Sequence, residues 1–139
     1  MGIERFIEYC NANFHNPEEI KMDTRHLSLI KMIYSNPAIV TKAKISYKWT
    51  EVPFNDGERE VYSADIILID TRGTIYLVEC KSSNKPGRGN NSQLNRGYVF
   101  LRGEFGIDPL LIAVKSNQLG KRKIMRILPP IESIMDFGK

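Results

Sequence analysis

Apolar residues recur at helical spacing before residue 37 and in strand-like runs from residue 39 to residue 81. Between residues 3 and 14 they fall every three or four positions, which predicts a first helix ending near Asn16. A second helix is predicted from about 17 to 35, because Asn16-Pro17-Glu18-Glu19 is typical of a helix start and Asn36-Pro37 of a stop. Each helix has an apolar face that must pack against the rest of the protein.

The segments after the second helix have the pattern of strands. Three are predicted, at Ile39 to Val52 with a break inside it, at Val61 to Ile69, and at Thr74 to Lys81. The short polar turn Asp70-Thr71-Arg72-Gly73 predicts that the second and third strands pair as an antiparallel hairpin. Their central runs, ADIILI and IYLVEC, are almost wholly apolar, which is typical of strands covered by helices on both faces.

The rest of the pattern completes an α/β fold. Gln93 to Phe105 predicts another helix, Pro109 to Val114 a fourth strand, and Ile124 to Leu128 a fifth. This order predicts a mixed central β-sheet of about four to five strands flanked by helices. We expect one domain over all 139 residues, with an N-terminal helix (1–15), an αβββαβ core (16–114) and a basic C-terminal extension (115–139).

The composition excludes several classes of protein. No apolar stretch approaches the roughly 18 residues that a membrane span needs, so no membrane partner is expected. The N-terminal sequence MGIERFIEYC lacks the order of a secretion signal, which favours an intracellular protein. Two cysteines and two histidines without metal-ligand spacing indicate neither a disulfide framework nor a zinc site. The net charge of +4 is compatible with nucleic acid, although many basic proteins bind none.

Three charged residues interrupt the most apolar strands. Asp65 is the only charge of the second predicted strand, and Glu79 and Lys81 are the only charges of the third. Alternation places Glu79 and Lys81 on one face and Cys80 in the core, and the hairpin places Asp65 opposite Glu79. Two carboxylates this close repel each other unless a divalent cation joins them. The pattern therefore predicts Mg²⁺ or Mn²⁺ at a phosphodiester hydrolysis site, with Lys81 beside the nucleophile.

The segment Ala64-Asp65-Ile66-Ile67-Leu68, followed by Glu79-Cys80-Lys81, resembles the PD-(D/E)XK nuclease superfamily, which includes restriction enzymes, Holliday-junction resolvases and RecB-type exonucleases. The resemblance covers Asn16 to about Val114 and implies a restriction-endonuclease-like core. It also implies a Mg²⁺- or Mn²⁺-dependent deoxyribonuclease in which Asp65, Glu79 and the main-chain carbonyl of Cys80 hold the ion and Lys81 assists attack. By analogy with small resolvase-like members, a homodimer that cuts branched DNA in repair or recombination is expected.

The resemblance implies two further catalytic candidates. Many members add a Glu from the helix before the first strand, and on a helical wheel Glu19 lies near the middle of the apolar face. Glu18, Asp23 and His26 are competitors for that position. A helical Gln and Tyr four residues apart mark the RecB-like branch, and Gln93 is the matching candidate here although its Tyr follows five residues later. The Pro that often precedes the Asp is replaced by Tyr62-Ser63-Ala64.

Basic residues follow the third and fourth predicted strands, where they would surround one end of the sheet. Such a rim would contact DNA phosphates without reading sequence. The predicted DNA-binding residues are Lys85, Arg88, Arg96, Arg102, Lys121, Arg122 and Lys123, with Lys115 and Arg126 nearby.

Simpler explanations exist for these residues. The three central charges could form a solvated edge with a salt bridge worth about 0–1 kcal/mol, and a second ExK occurs at Glu19-Ile20-Lys21. Glu19 could be a capping-box residue, and Lys121-Arg122-Lys123 a solvated turn. Two other functions stay open: a catalytically inactive DNA-binding module, and an assembly subunit of a repair or restriction complex.

Overall fold

The computed structural model describes residues 2–16, 24–81, 88–116 and 122–127. The elements in these ranges follow the predicted order of helix, helix, three strands, helix and two strands, with one short 3₁₀ helix after the second helix. They are α1 (Gly2–Asn13), α2 (Thr24–Ser35), the 3₁₀ helix (Pro37–Ile39), β1 (Ile45–Asp56), β2 (Arg59–Asp70), β3 (Ile75–Lys81), α3 (Arg88–Phe105), β4 (Leu110–Ser116) and β5 (Arg122–Ile127). No helix in the described ranges is long and apolar enough to cross a membrane.

The five strands form a single mixed sheet in the order β1-β2-β3-β4-β5. The first three strands are an antiparallel meander, and the predicted hairpin of β2 and β3 is confirmed. Strand β4 runs parallel to β3, which requires a crossover, and α3 supplies it. Strand β5 then pairs antiparallel with β4 as an edge strand, so the described part of the predicted extension belongs to the sheet. The predicted α/β class and mixed sheet are confirmed.

The prediction of a strand from Ile39 to Val52 is wrong at both ends. Pro37 begins the 3₁₀ helix, whose last turn closes when the N–H of Val40 bonds to the carbonyl of Pro37 at 2.9 Å. The strand starts only at Ile45 and continues to Asp56, because β2 pairs with it along almost its whole length. The start of the second helix was predicted within residues 17–23, which lie outside the described residues.

Helices cover both faces of the sheet, as the apolar strands predicted. Helices α1 and α3 pack on one face, against a cluster that includes Phe6, Ile67, Leu77 and Leu101. Helix α2 packs on the other face, where Leu29, Ile30 and Ile33 contact a second cluster that includes Val78 and Cys80. Neighbouring residues of β3 therefore enter opposite cores, and the predicted inward orientation of Cys80 is confirmed.

Candidate active site

The candidate site lies where the ladder between β2 and β3 ends. Pairing is regular as far as Ile66 and Val78, and the same register places the next residues, Asp65 and Glu79, opposite each other. The main-chain N–H of Cys80 donates a hydrogen bond of 2.8 Å to Oδ2 of Asp65. A carboxylate of one strand is thus held by the backbone of the next, and the predicted juxtaposition of Asp65 and Glu79 is confirmed.

Glu79 is a buried carboxyl group with little to stabilise its charge. Its side chain is 6% exposed, and burial together with the nearby charge of Asp65 raises its pKa to about 8. The hydroxyl of Tyr62 donates a hydrogen bond of 2.7 Å to its Oε1 and is the one such donor to Glu79 among the described residues. The charge of Lys81 works in the opposite direction and lowers the pKa of Glu79. A nearby cation would therefore relieve a real electrostatic cost.

A second buried acid, Asp70, shows what a structural carboxylate looks like in this fold. Its Oδ1 accepts hydrogen bonds from the main-chain N–H groups of Arg72 and Thr74, both at 2.9 Å, and its Oδ2 accepts one from Tyr76 at 2.9 Å. These donors fix the hairpin turn between β2 and β3 and compensate the charge. Glu79 lacks such compensation, which indicates a role beyond packing.

Glu51 is a third carboxyl group of the site and was not among the residues predicted from the sequence. It lies on β1 between Thr50, which pairs with Ile66, and Val52, and so faces Asp65 across the ladder. Its side chain hydrogen-bonds to Asp65, and burial followed by the charge of Asp65 raises its pKa to about 7. Glu51, Asp65 and Glu79 therefore form one row across three adjacent strands.

The backbone at Glu51 is strained and is held by the segment after α1. Its φ of 46° is the only positive value at a non-glycine residue in the described part of the chain. His15 donates its N–H to the carbonyl of Thr50 at 3.0 Å, and Nδ1 of His15 lies 2.9 Å from the carbonyl oxygen of Glu51. The hydroxyl of Thr50, which is fully buried, donates a hydrogen bond to the carbonyl of His15. Strain maintained in this way is characteristic of functional sites.

A sequence signal for Glu51 does exist. Trp49, Val52 and Phe54 all enter the core between the sheet and α1 with α3, although strict alternation would send Trp49 to the face opposite the other two. The alternation of apolar positions therefore shifts by one residue between Trp49 and Val52. A polar side chain at such a shift does not enter the core and can contact residues on the neighbouring strand.

His26 also reaches the site, from α2. Its Nε2 lies 2.9 Å from the main-chain oxygen of Cys80 and 3.3 Å from Oδ2 of Asp65. The hydrogen bond to Asp65 outweighs burial and raises the pKa of His26. Helical periodicity predicts His26 only as a competitor of Glu19, and Glu18, Glu19 and Asp23 lie outside the described residues. His26 contacts the carbonyl that the family resemblance assigns to the metal.

The donors present are those that Mg²⁺ or Mn²⁺ would use. Asp65 and Glu79 offer carboxylate oxygens and Cys80 offers a main-chain carbonyl, whereas Nε2 of His26 faces oxygen acceptors and acts as a hydrogen-bond donor. Within the described ranges no group of three His, Cys, Asp or Glu side chains is placed to hold a metal ion by itself. Mg²⁺ needs no such set, because it commonly binds one or two carboxylates and keeps several water molecules. The residues therefore fit a hard divalent cation, and both cysteines are free and buried.

The remaining catalytic and DNA-binding candidates are scattered. Oε1 of Gln93, in the N-terminal half of α3, is buried without a hydrogen-bond partner among the described residues. Arg96 is exposed on α3, and Arg122 and Lys123 are exposed on β5. Arg102 lies at the end of α3 away from the site, 3.3 Å from the hydroxyl of Tyr98 and 3.7 Å from Asp108. Lys85, Lys121 and the side chain of Arg88 fall outside the described part of the protein.

Comparison with known proteins finds structural likeness only. No protein-family model and no curated protein matches the sequence. A repair endonuclease from Pyrococcus abyssi is similar with a TM-score of 0.48 and 22% sequence identity, over 73% of this chain and 42% of that one. The EndoMS-dsDNA2 complex is similar with a TM-score of 0.46 and 16% identity, over 73% of this chain and 39% of that one. The chain thus spans about two fifths of the length of these two proteins.

Proposed function

We propose that this protein is a nuclease that hydrolyses phosphodiester bonds in DNA with Mg²⁺ or Mn²⁺. The observation that supports this best is the pair Asp65 and Glu79, two buried carboxyl groups on neighbouring strands, with Lys81 two residues further along. A structural pair would be neutralised by donors, as Asp70 is. The site instead has more acid than its surroundings compensate, and this excess of negative charge favours the binding of a divalent cation.

Each side chain then has a role in binding or orienting the reactants. Bound Mg²⁺ or Mn²⁺ would polarise the scissile phosphoryl group and lower the pKa of a bound water. Asp65, Glu79 and the carbonyl of Cys80 would hold the ion, and Glu51 and His26 would fix the orientation of Asp65. The ammonium of Lys81 would orient the attacking water and offset charge that develops on the phosphate. Gln93, with its unpaired amide oxygen, and Glu19 are secondary candidates.

The narrower parts of the proposal concern substrate and assembly. We propose branched DNA as the substrate, cut by a homodimer during repair or recombination, because a four-way junction offers two equivalent strands to a twofold pair of sites. Sedimentation of the purified protein with and without junction DNA measures the stoichiometry. A single copy per junction that cuts both strands would contradict the dimer.

The central test is cleavage of labelled linear duplex, single-stranded and four-way-junction DNA with Mn²⁺. Asp65→Asn and Glu79→Gln should each lower the rate at least about 10²-fold, since each removes a charge that acts on the transition state. Glu8→Gln, on the exposed face of α1, removes a distant carboxylate and should cut like the wild type. Unchanged cleavage in either site variant rejects the assignment.

Two other results identify the alternative functions. Salt-sensitive DNA binding by the wild type, with no cleavage at any Mg²⁺ or Mn²⁺ concentration, indicates a binding module that has lost turnover. Failure to bind duplex or junction DNA at low salt indicates an assembly subunit. Either result contradicts the nuclease proposal.

A further inference from the structure

Three lysines lie side by side at the end of the sheet that carries the candidate site. Lys81 on β3 pairs with Lys115 on β4, and Lys115 pairs with Lys123 on β5. Neighbouring strands are about 4.8 Å apart, so the row extends about 10 Å from the first lysine to the third. Lys123 is exposed, and Lys81 and Lys115 are half-buried. The row is a consequence of register alone and does not depend on loop conformation.

The row projects from the same face of the sheet as Glu79. Lys81 follows Glu79 by two residues and therefore shares its face. On β4 and β5, Ala113 and Met125 pair with each other and pack in the core under α1 and α3, the core that Leu77 also enters. Lys115 and Lys123 each lie two positions from these residues. Alternation therefore places all three ammonium groups on one side, next to the carboxyl row.

The positive charges of this row have no ion-pair partner among the described residues. Like charges directly opposite each other on neighbouring strands are destabilising. None of the three lysines forms an ion pair with another described residue. The charge of Lys81 acts on Glu79, while Lys115 and Lys123 lie one and two strands further away from that carboxyl group. Such an arrangement is stabilised when an anion with several charges lies along it.

Resting on the proposed nuclease function, we propose that this lysine row binds the phosphodiester backbone of the scissile strand on one side of the cleaved bond. The strand crosses the sheet from Glu79 toward β5, at right angles to the β-strands. The row offers one ammonium group to each of three consecutive phosphates, which are separated by two nucleotide steps along the strand. Lys81 contacts the reacting phosphate, and Lys115 and Lys123 contact the next phosphates along the strand.

This geometry makes binding asymmetric about the scissile bond. Phosphates on the side toward β5 meet lysines, whereas the carboxyl row Glu51, Asp65 and Glu79 continues in the other direction, toward β1. An anionic strand is therefore repelled on the β1 side unless cations intervene. The lysine row therefore determines the direction in which the bound strand extends from the site. It does so through phosphate contacts, without reading the base sequence.

Arg126 provides a matched control for the row. It lies on β5, three residues from Lys123, and is exposed. It pairs with Ile112, which enters the core under α2, so Arg126 projects from the opposite face of the sheet. Its replacement removes the same charge from the same strand and leaves the lysine row intact.

Binding of a fluorescent oligonucleotide is measured in EDTA over a range of salt concentrations. The variants compared are Lys115→Ala, Lys123→Ala and Arg126→Ala. We expect each lysine variant to bind about fivefold to tenfold more weakly at low salt and to reduce the salt slope by about 0.7 to 0.9, the loss of one phosphate contact. Arg126→Ala should change affinity less than about twofold. Equal effects of Lys123→Ala and Arg126→Ala overturn the row, because they indicate a general electrostatic field.

A second arm places neutral methylphosphonates on one side or the other of the scissile bond. Wild-type binding should fall for one side only, and that loss should be smaller in Lys115→Ala, since one of the two partner charges on that side is already absent. A symmetric loss contradicts the proposed direction. Wild-type protein that neither binds nor cleaves DNA rejects the nuclease proposal itself. Wild-type protein that cleaves DNA while both lysine variants bind it unchanged rejects the lysine row alone.

Discussion

The hydroxyl of Tyr62 donates a hydrogen bond of 2.7 Å to Oε1 of Glu79. Tyr62 lies on β2 and Glu79 on β3, and both are buried. Helix α3 packs closely against the same tyrosine at Gly97. A Cβ at that position would come within 2.9 Å of the tyrosine ring and 2.7 Å of Leu77. One buried ring thus connects two strands and a helix to the acid that we place at the metal.

Replacing Tyr62 by Phe should weaken metal binding while the fold persists. The variant removes only the donor that orients Glu79, and loss of such a supporting hydrogen bond typically costs 10- to 100-fold in metal affinity. Isothermal titration of the protein with Mn²⁺, in the absence of DNA, measures the effect. A variant that binds Mn²⁺ as tightly as the wild type would show that Glu79 needs no such orientation.

The matched control is Tyr76→Phe. Tyr76 is also buried and also donates to a buried carboxylate, Asp70, at 2.9 Å, but it does so at the hairpin turn away from the site. Its loss should lower the free energy of unfolding by about 1 kcal/mol and leave Mn²⁺ affinity unchanged. Equal loss of Mn²⁺ affinity in both variants would mean that the effect of Tyr62→Phe is only destabilisation.

Gly97→Ala should destabilise the protein, because the added methyl group meets Leu77 and Tyr62 at less than ordinary contact distance. Overpacking of this kind costs about 1–3 kcal/mol. Gly103→Ala, on the same helix, has open space around it and should stabilise the protein by up to about 1 kcal/mol through helix propensity. Thermal unfolding of the two variants checks this, and a positive shift in both melting temperatures would contradict the close packing.

The metal-free protein should lose stability as the pH rises from about 5 to 8.5. Glu79 titrates near its ordinary value when unfolded but has a pKa of about 8 when folded, so the folded state holds more protons over this range and stability falls with pH. Glu51, with its pKa raised to about 7, and His26, whose pKa is also raised, act in the same direction. Between pH 5 and pH 8.5 the loss from Glu79 alone is about 4 kcal/mol.

Thermal unfolding in EDTA at pH 5.5 and pH 8.5 measures this loss. Glu79→Gln should reduce the difference between the two pH values, because its amide carries no proton to lose. Mn²⁺ should raise the melting temperature more at the higher pH, where the carboxylates are ionised. A wild-type protein that is equally stable at both pH values would show that Glu79 ionises without cost.

The sequence predicted the centre of the site because register depends on local features. The turn from Asp70 to Gly73 sets the hairpin, and a period of two then places Asp65 opposite Glu79 and Cys80 in the core. Tyr62 could not be assigned to Glu79 in this way. Its hydrogen bond joins residues 17 positions apart and depends on how closely α3 approaches the sheet at Gly97.

Glu51 and His26 escaped prediction for a different reason. Glu51 faces Asp65 through the register of β1 and β2, and the apolar pattern marks its position only by a shift in alternation, while no residue preference predicts the positive φ that this glutamate adopts. His26 was placed on the inward face of its helix by periodicity, but periodicity cannot say that the helix brings its ring to the carbonyl of Cys80. The contact of His26 is set by packing between elements 54 positions apart in sequence.

Glu51→Gln and Glu51→Ala should differ in activity if Glu51 orients Asp65. Below its pKa of about 7, the Glu51 carboxyl group is protonated and donates to Asp65. The amide of Gln can donate in the same way, whereas Ala leaves Asp65 without this partner. Cleavage at pH 6 should therefore stay within about threefold of wild type for Gln and fall at least about tenfold for Ala, a loss of about 1.4 kcal/mol. Equal activity of the Gln and Ala variants at pH 6, whether high or low, would show that the hydrogen bond from Glu51 does not position Asp65.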